Sequence, residues 1–146
     1  MTATRSKKSN NSYRKHQKHV ERPAEMCAFC EMSSDQPQFI SQSNYFKVIQ
    51  NIFPYTLWDS QTVRDHLLVV PIKHTDTLSD ISAAGAQDYV RTISKYESKG
   101  YSVWARPPGS INKSLVHQHT HLIKLSGKGV RFLMYIKRPY LRFLIK

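Results

Sequence analysis

The stretch 115–123 (LVHQHTHLI) limits what this chain can be more than any other, because it places histidines at alternate positions, His117, His119 and His121. A period of two is that of a β-strand, so the pattern predicts a strand whose three imidazoles leave one face of a sheet. Successive rings would stand roughly 6.6 Å apart, from a rise of about 3.3 Å per residue. Neutral histidine is a nucleophile and protonated histidine a donor, and both forms exist near neutral pH. A phosphate and its ester oxygens would span such a row, which can therefore attack, donate a proton and bind metal.

Two other interpretations of the row stay open at this point. Each histidine can be a hydrogen-bonded structural residue of the sheet. Alternating histidines can also ligate a catalytic zinc in a hydrolase, which would make the row a metal cage without a nucleophile.

The charge is concentrated where the histidines are. The chain carries a formal net charge of +12, and residues 98–146 contain ten Lys or Arg and no Asp or Glu. An electropositive half suits a site that receives phosphate, and it equally suits contact with nucleic acid.

Length and composition predict one folded domain in a soluble protein. At 146 residues and 40% hydrophobic content, the chain has room for a single core. No apolar run approaches the roughly 18 residues of a membrane helix, and no apolar signal-peptide core is seen near the start. We expect a cytoplasmic protein with no membrane partner.

The order of the elements predicts an α+β domain over residues 25–146. Residues 1–24 are basic and poor in apolar side chains, so we expect a disordered tail, either an arm for RNA or a solubilising segment. Strands are predicted at 44–50, 56–58, 66–71 and 101–105, and helical spacing predicts one main helix from near Ser82 to Lys99. Residues 131–136 and 140–146 alternate apolar and basic residues, which predicts a C-terminal hairpin with a basic face that is either an RNA surface or an edge kept soluble by its charges.

Cys27 and Cys30 are the two cysteines of the chain, and two residues separate them. They are too close in sequence to join distant segments, which favours metal or redox chemistry over a structural disulfide. A reduced pair without function is the other interpretation, because a metal site would require two more ligands downstream.

Three motifs together resemble the histidine triad (HIT) superfamily. The pattern His117-x-His119-x-His121-Leu-Ile resembles the family signature. The segment 66–74 (HLLVVPIKH) resembles the family strand that ends in Pro-x-x-His, and Cys27-x-x-Cys30 resembles the start of the zinc-containing members. The resemblance covers roughly residues 26–125, and it implies a HIT-like antiparallel sheet of about five strands with one main helix, in a protein that forms a homodimer.

The resemblance also implies roles for individual residues. The middle histidine, His119, would attack the α-phosphate of a nucleotide or nucleotide conjugate and form a nucleotidyl-histidine, which water or another acceptor then cleaves. His121 would hold the phosphate or assist proton transfer, and Ser114 would contact the phosphate or the leaving group. Asn51 would hold the ribose, with Asp59 as the competing candidate.

In zinc-containing members, the first histidine of the row is a metal ligand. Carried over to this chain, the ligand set is Cys27, Cys30, His74 and His117. Two sulfurs and two nitrogens make a closed tetrahedral site, so this Zn²⁺ would be structural.

The chain departs from the family in the approach to the triad and in the residues between the histidines. Arg106 stands near an expected asparagine and Lys113 near an expected glutamine, and both side chains are suited to binding additional phosphate groups. The spacers Gln118 and Thr120 are polar where many members have apolar residues. The predicted function is a nucleotide hydrolase or nucleotidyltransferase working through His119. The alternative is a non-catalytic, zinc-stabilised module that binds nucleotide or RNA.

Overall fold

The structure is a computed structural model, and it describes residues 3–19, 27–110, 113, 115–136 and 141–145. Within these residues the chain forms two α-helices, α1 (Lys7–His19) and α2 (Ala83–Glu97). The strands, in chain order, are β1 (Phe39–Gln42), β2 (Phe46–Gln50), β3 (Leu57–Trp58), β4 (Gln61–Pro71), β5 (Tyr101–Ala105), β6 (Thr120–Gly129), β7 (Phe132–Ile136) and β8 (Leu141–Ile145).

The chain divides into two compact units. One contains Met1–Glu21, Phe53–His66 and Ile123–Lys146, and the other contains Arg22–Ile52 and Leu67–Leu122. The histidine row and both cysteines belong to the second unit.

Six strands form an antiparallel sheet, as the predicted α+β class requires. The order is β1-β2-β4-β6-β5, and β3 pairs with the start of β4. β2 and β4 pair over five residues, from Phe46 opposite Pro71 to Gln50 opposite Leu67. The apolar run that ends at Pro71 is therefore buried in the sheet, as predicted. The edge strand β1 was not predicted, because its four residues alternate between half-buried and exposed and carry little apolar signal.

Apolar side chains cover both faces of the β2–β4 pair in the second unit. On one face Phe46, Val48, Leu67 and Val69 pack with residues of α2 and β6. On the other face Ile49, Leu68 and Val70 pack with Phe29 of the cysteine segment. The cysteine segment is thus packed against this second face of the sheet through Phe29.

Helix α2 begins and ends where the sequence predicted, to within two residues. The side chain of Ser82 accepts a hydrogen bond from the Gly85 backbone N–H at 3.2 Å, which caps the first turn. Gly100 follows the helix with a φ of +83°, a conformation that costs glycine little. Ile93 and Tyr96 of this helix pack against the sheet.

The expected disorder of the N-terminal tail is wrong for Lys7–His19, which form α1. Ser6 caps the helix by accepting a hydrogen bond from the Ser9 N–H at 3.1 Å. Tyr13 packs on Phe53 with ring centroids 5.3 Å apart, and the Arg5 guanidinium lies 4.5 Å from the Tyr13 ring. Composition underestimated this segment because one aromatic ring and one arginine supply contacts that an average over 24 residues conceals. Residues 20–24 lie outside the described part of the chain.

The predicted C-terminal hairpin is present as β7 and β8, which pair antiparallel. Phe132 lies opposite Ile145, and Met134 lies opposite Phe143. These four side chains are exposed. The hairpin therefore presents an apolar surface as well as the basic one that its sequence predicts.

Candidate active site and metal site

The four predicted metal ligands lie together. One donor atom from each of Cys27, Cys30, His74 and His117 lies within 4.8 Å of the other three. His117 Nδ1 is 3.3 Å from Cys27 Sγ and 3.5 Å from Cys30 Sγ, and His74 Nδ1 is 3.3 Å from Cys30 Sγ. Around a tetrahedral zinc, a sulfur and a nitrogen ligand stand roughly 3.5 Å apart. The separations and the donor set therefore fit zinc.

Local backbone structure brings the ligands to this point. The Cys30 and Glu31 N–H groups donate to the Cys27 carbonyl at 2.9 and 3.1 Å, which turns the chain so that both sulfurs face the same way. His74 follows the end of β4, and His117 approaches it because the Gln118 N–H donates to the Thr75 carbonyl at 2.7 Å. The site joins three segments of the chain.

The hydrogen bond of His117 determines which of its nitrogens can ligate. Nε2 lies 3.1 Å from the Pro71 carbonyl, which can only accept, so Nε2 carries the proton and Nδ1 presents its lone pair to the cysteines. Burial and the neighbouring His74 lower the pKa of His117 to about 4. The ring is therefore neutral at physiological pH, as a metal ligand must be.

Without metal, the surroundings of Cys30 favour the thiol over the thiolate. Burial, and then the hydrogen bond and charge of Cys27, raise the pKa of Cys30, while the Lys47 charge acts in the opposite direction. Metal binding would therefore release a proton from Cys30.

His119 has the tautomer that a nucleophile needs. Its Nδ1 donates to the His117 carbonyl at 2.9 Å, so Nε2 keeps its lone pair. Burial lowers the pKa of His119, and the charges of Lys113 and Arg106 lower it further. The Phe29 ring packs edge-on against the His119 ring, with centroids 5.3 Å apart. The imidazole is thus neutral, oriented and close to two cations.

His121 continues the row toward an aromatic and cationic pair. Its ring centroid lies 5.1 Å from that of His119 and 5.0 Å from that of Trp104. The Arg106 guanidinium lies over the same Trp104 ring at 4.3 Å. Arg106 therefore stands at the His121 end of the row, where its charge also reaches His119.

Both polar spacers of the row have hydrogen-bond partners for their side chains. Gln118 accepts a hydrogen bond from Lys113 Nζ at 2.7 Å, and Lys113 Nζ also donates to the Asp76 carbonyl at 2.9 Å. Thr120 is 1% exposed, and its Oγ1 lies 2.8 Å from the Tyr89 hydroxyl of α2. The spacers are buried by pairing with polar groups, so the packing behind the triad is partly hydrogen-bonded.

The predicted strand over the whole row is partly wrong, because β6 begins at Thr120. His117 and His119 precede it, since the Gln118 N–H bonds to the Thr75 carbonyl and the His117 ring turns to the cysteines. The His119 and His121 rings are also closer than the spacing predicted from an ideal strand.

Solved structures with the same architecture were found by comparison of folds. A HIT family hydrolase from Clostridium thermocellum superposes with a TM-score of 0.53 at 20% identity, over 73% of this chain and 96% of that one. The HIT family hydrolase from Legionella pneumophila Philadelphia 1 gives a TM-score of 0.50 at 18% identity, over 70% of this chain and 94% of that one. This chain has the histidine triad fold. No protein-family profile and no curated protein matches the sequence.

The group of residues that could hold a metal contains one histidine of the row. Among the described residues, the group that could hold a metal includes His117 but neither His119 nor His121. The group that the described residues form is therefore not the cage of alternating histidines that the sequence left open. No helix in the described part of the chain is long and apolar enough to cross a bilayer.

Of the three remaining residues that the histidine triad resemblance singled out, the structure describes Asn51 and Asp59. Asn51 follows the end of β2 in the unit that holds the histidines. Asp59 belongs to the other unit, where Asp59 and Ser60 form the two-residue connection between β3 and β4 with φ of +49° and +58°. These are the φ signs of a type I′ turn, so Asp59 has a structural explanation. Ser114 lies outside the described residues.

Sequence reasoning missed Lys47 and Trp104 as parts of this site. Lys47 is buried in β2, and its ammonium donates to the carbonyls of Phe29 and Met32. A lysine inside the apolar pattern of residues 46–50 (FKVIQ) was the available signal, because a buried charge requires specific partners. Trp104 gave no signal, since its contact with His121 crosses strands.

Proposed function

We propose that this protein is a nucleotide hydrolase or nucleotidyltransferase that acts at the α-phosphate through a nucleotidyl intermediate on Nε2 of His119. The observation that carries the proposal is the hydrogen bond from His119 Nδ1 to the His117 carbonyl, which leaves Nε2 unprotonated in a buried, electropositive surrounding. The two similar solved structures are both described as HIT family hydrolases, which agrees with this activity.

In the first step, the Nε2 lone pair of His119 forms a bond to the α-phosphorus, and the bond from phosphorus to the leaving group breaks. The leaving group departs with the electron pair and takes up a proton, for which His121 is the neighbouring donor. The hydrogen bond from Nδ1 to the His117 carbonyl stabilises the charge that the ring gains on attack. In the second step, water or another acceptor gives up a proton to His121 and attacks phosphorus. The P–N bond breaks with its electron pair returning to Nε2, so neutral His119 and protonated His121 are restored.

The cations near the row would stabilise the negative charge of the substrate's phosphate groups. Arg106 and Lys113 both act electrostatically on His119, so a phosphate bonded to Nε2 would lie in their field. Lys113 already donates to Gln118 and Asp76, which makes it a fixed charge with a known position. Asn51 and Ser114 remain the proposed contacts to ribose and phosphate, with Asp59 the weaker candidate for the ribose.

The metal that Cys27, Cys30, His74 and His117 would hold is zinc. It would act as a cross-link, because four protein ligands leave no position for water or substrate. Its contribution to the reaction would be indirect: it fixes His117, whose carbonyl orients His119.

A second candidate function rests on the C-terminal hairpin. Its exposed Phe132 and Phe143 rings accompany five Lys or Arg in residues 131–146, a combination that suits stacking and phosphate contact with single-stranded RNA. A non-catalytic module would bind RNA with strong salt dependence, and binding would survive loss of His119. The homodimer is a prediction from the resemblance alone.

Turnover decides between the two candidates. The zinc-loaded protein is incubated with a nucleoside phosphoramidate, a nucleoside diphosphate sugar and a dinucleoside polyphosphate, and release of nucleoside monophosphate is followed by chromatography. We expect release from at least one substrate and none with His119→Gln. Absence of turnover across the panel, together with RNA binding unaffected by His119→Gln, would reject the enzyme in favour of the module.

A further inference from the structure

Lys47 is a charged residue in an apolar environment. It is the second residue of β2, is 6% exposed, and faces the same side of the sheet as Ile49. Val70 stands directly opposite it on β4. A buried ammonium is costly unless its hydrogens are bonded, so the acceptors of Lys47 reveal what the charge is used for.

The acceptors of Lys47 belong to one short segment. Its Nζ lies 3.1 Å from the Phe29 carbonyl and 2.7 Å from the Met32 carbonyl. Both carbonyls come from the turn that carries the cysteines, one of them between Cys27 and Cys30 and the other two residues beyond. The ammonium thus fixes the turn through two hydrogen bonds to its backbone. Hydrogen bonds from a charged donor are stronger than those from a neutral donor.

The turn that Lys47 holds belongs both to the metal site and to the surroundings of His119. It carries both sulfurs of the metal site, and it also carries Phe29, whose ring contacts the rings of His117 and His119 at 5.8 and 5.3 Å. A change in the position of this turn would therefore move two metal ligands and one wall of the nucleophile together.

We propose that Lys47 is a positioning residue that holds the turn of Cys27 to Met32 in its metal-binding shape before the metal arrives. Outer groups that orient metal ligands commonly contribute about 10- to 100-fold to metal affinity. Lys47 does so through the backbone, by restricting a turn that would otherwise lose conformational entropy on binding. The inference rests on the proposed zinc site, and it adds a residue that no ligand pattern includes.

Lys47→Met tests the proposal, because methionine keeps a long unbranched side chain and removes the charge and the donors. Zinc affinity is measured by competition with a chromophoric chelator. The labelling rate of Cys27 and Cys30 by a chromogenic disulfide is measured in the metal-free protein as the limiting rate at alkaline pH, where it no longer rises with pH. This removes the effect of the Lys47 charge on the pKa of Cys30. We expect zinc affinity to fall about 10- to 100-fold and the thiols to label several-fold faster. Lys47→Arg, which keeps the charge and the donors, should recover most of both values.

Lys95→Met is the matched control, since Lys95 is exposed on α2. It should leave both measurements unchanged. Zinc affinity and labelling rate of Lys47→Met within twofold of wild type would overturn the proposal. If circular dichroism shows Lys47→Met to be unfolded, Lys47→Gln, which keeps a single amide donor, takes its place with the same criterion. Wild-type protein that binds no zinc would refute the metal site, and the labelling rates would then still decide the role of Lys47.

Discussion

The hydrogen bond between Tyr89 and Thr120 leads to a prediction about the start of β6, which directly follows His119 and contains His121. Thr120 stands between His119 and His121, is 1% exposed, and has its Oγ1 2.8 Å from the Tyr89 hydroxyl. Tyr89→Phe removes the partner and leaves the buried hydroxyl of Thr120 without this bond. A buried polar group that loses its partner costs about 1–3 kcal/mol, so we expect Tyr89→Phe to lower the free energy of unfolding by that amount.

A double-mutant cycle isolates the pair from the other contacts of each side chain. Thr120→Val removes the other half of the bond, and the double variant removes both halves, which should cost less than the sum of the single changes. The free energy of unfolding of the four proteins is measured by urea denaturation of zinc-loaded samples, and kcat is measured alongside. We expect a coupling energy of about 1 kcal/mol and a lower kcat in each single variant. Single costs that add to within about 0.3 kcal/mol would show that the bond does not support the strand.

Three further predictions concern the histidines and the metal. Cys27→Ser should lower zinc content and thermal midpoint together, as measured by metal analysis and calorimetry, because the site joins separate segments; loss of zinc without loss of stability would contradict a structural role. His119→Ala should keep its full zinc content, since His119 is not in the ligand group. Loss of zinc from this variant would instead support the interpretation that the histidine row ligates a catalytic zinc. The proposed mechanism requires neutral His119, and burial with the charges of Lys113 and Arg106 lowers the pKa of His119 from 6.5, so the acidic fall in kcat/KM should lie below pH 6.5. Arg106→Ala should move this fall to higher pH, and a shift to lower pH would refute the electrostatic role.

The sequence predicted the parts of the fold that have a regular apolar pattern. The buried run that ends at Pro71, the capped helix after Ser82 and the hairpin of β7 and β8 all have such patterns. Helix α1 was missed because its stability draws on contacts of Tyr13 and Arg5, which no periodicity reveals.

The site was predicted less completely than the fold. The ligand set of Cys27, Cys30, His74 and His117 followed from motif resemblance, and the structure brings these residues together. The tautomer of His119 was out of reach, because it depends on a hydrogen bond to a backbone carbonyl. The contacts of Lys47 and Trp104 join residues distant in sequence, so they required the paired strands to be known.

Trapping the intermediate tests the central claim most directly. The protein is mixed with a nucleotide substrate, quenched within one turnover at alkaline pH, where a phosphoramidate bond survives, and digested for mass spectrometry. We predict a nucleotidyl group on the peptide that contains His119, located at that residue by fragmentation and absent from His119→Gln. Turnover with the nucleotidyl group on His121, or turnover that persists in His119→Gln, would contradict the account.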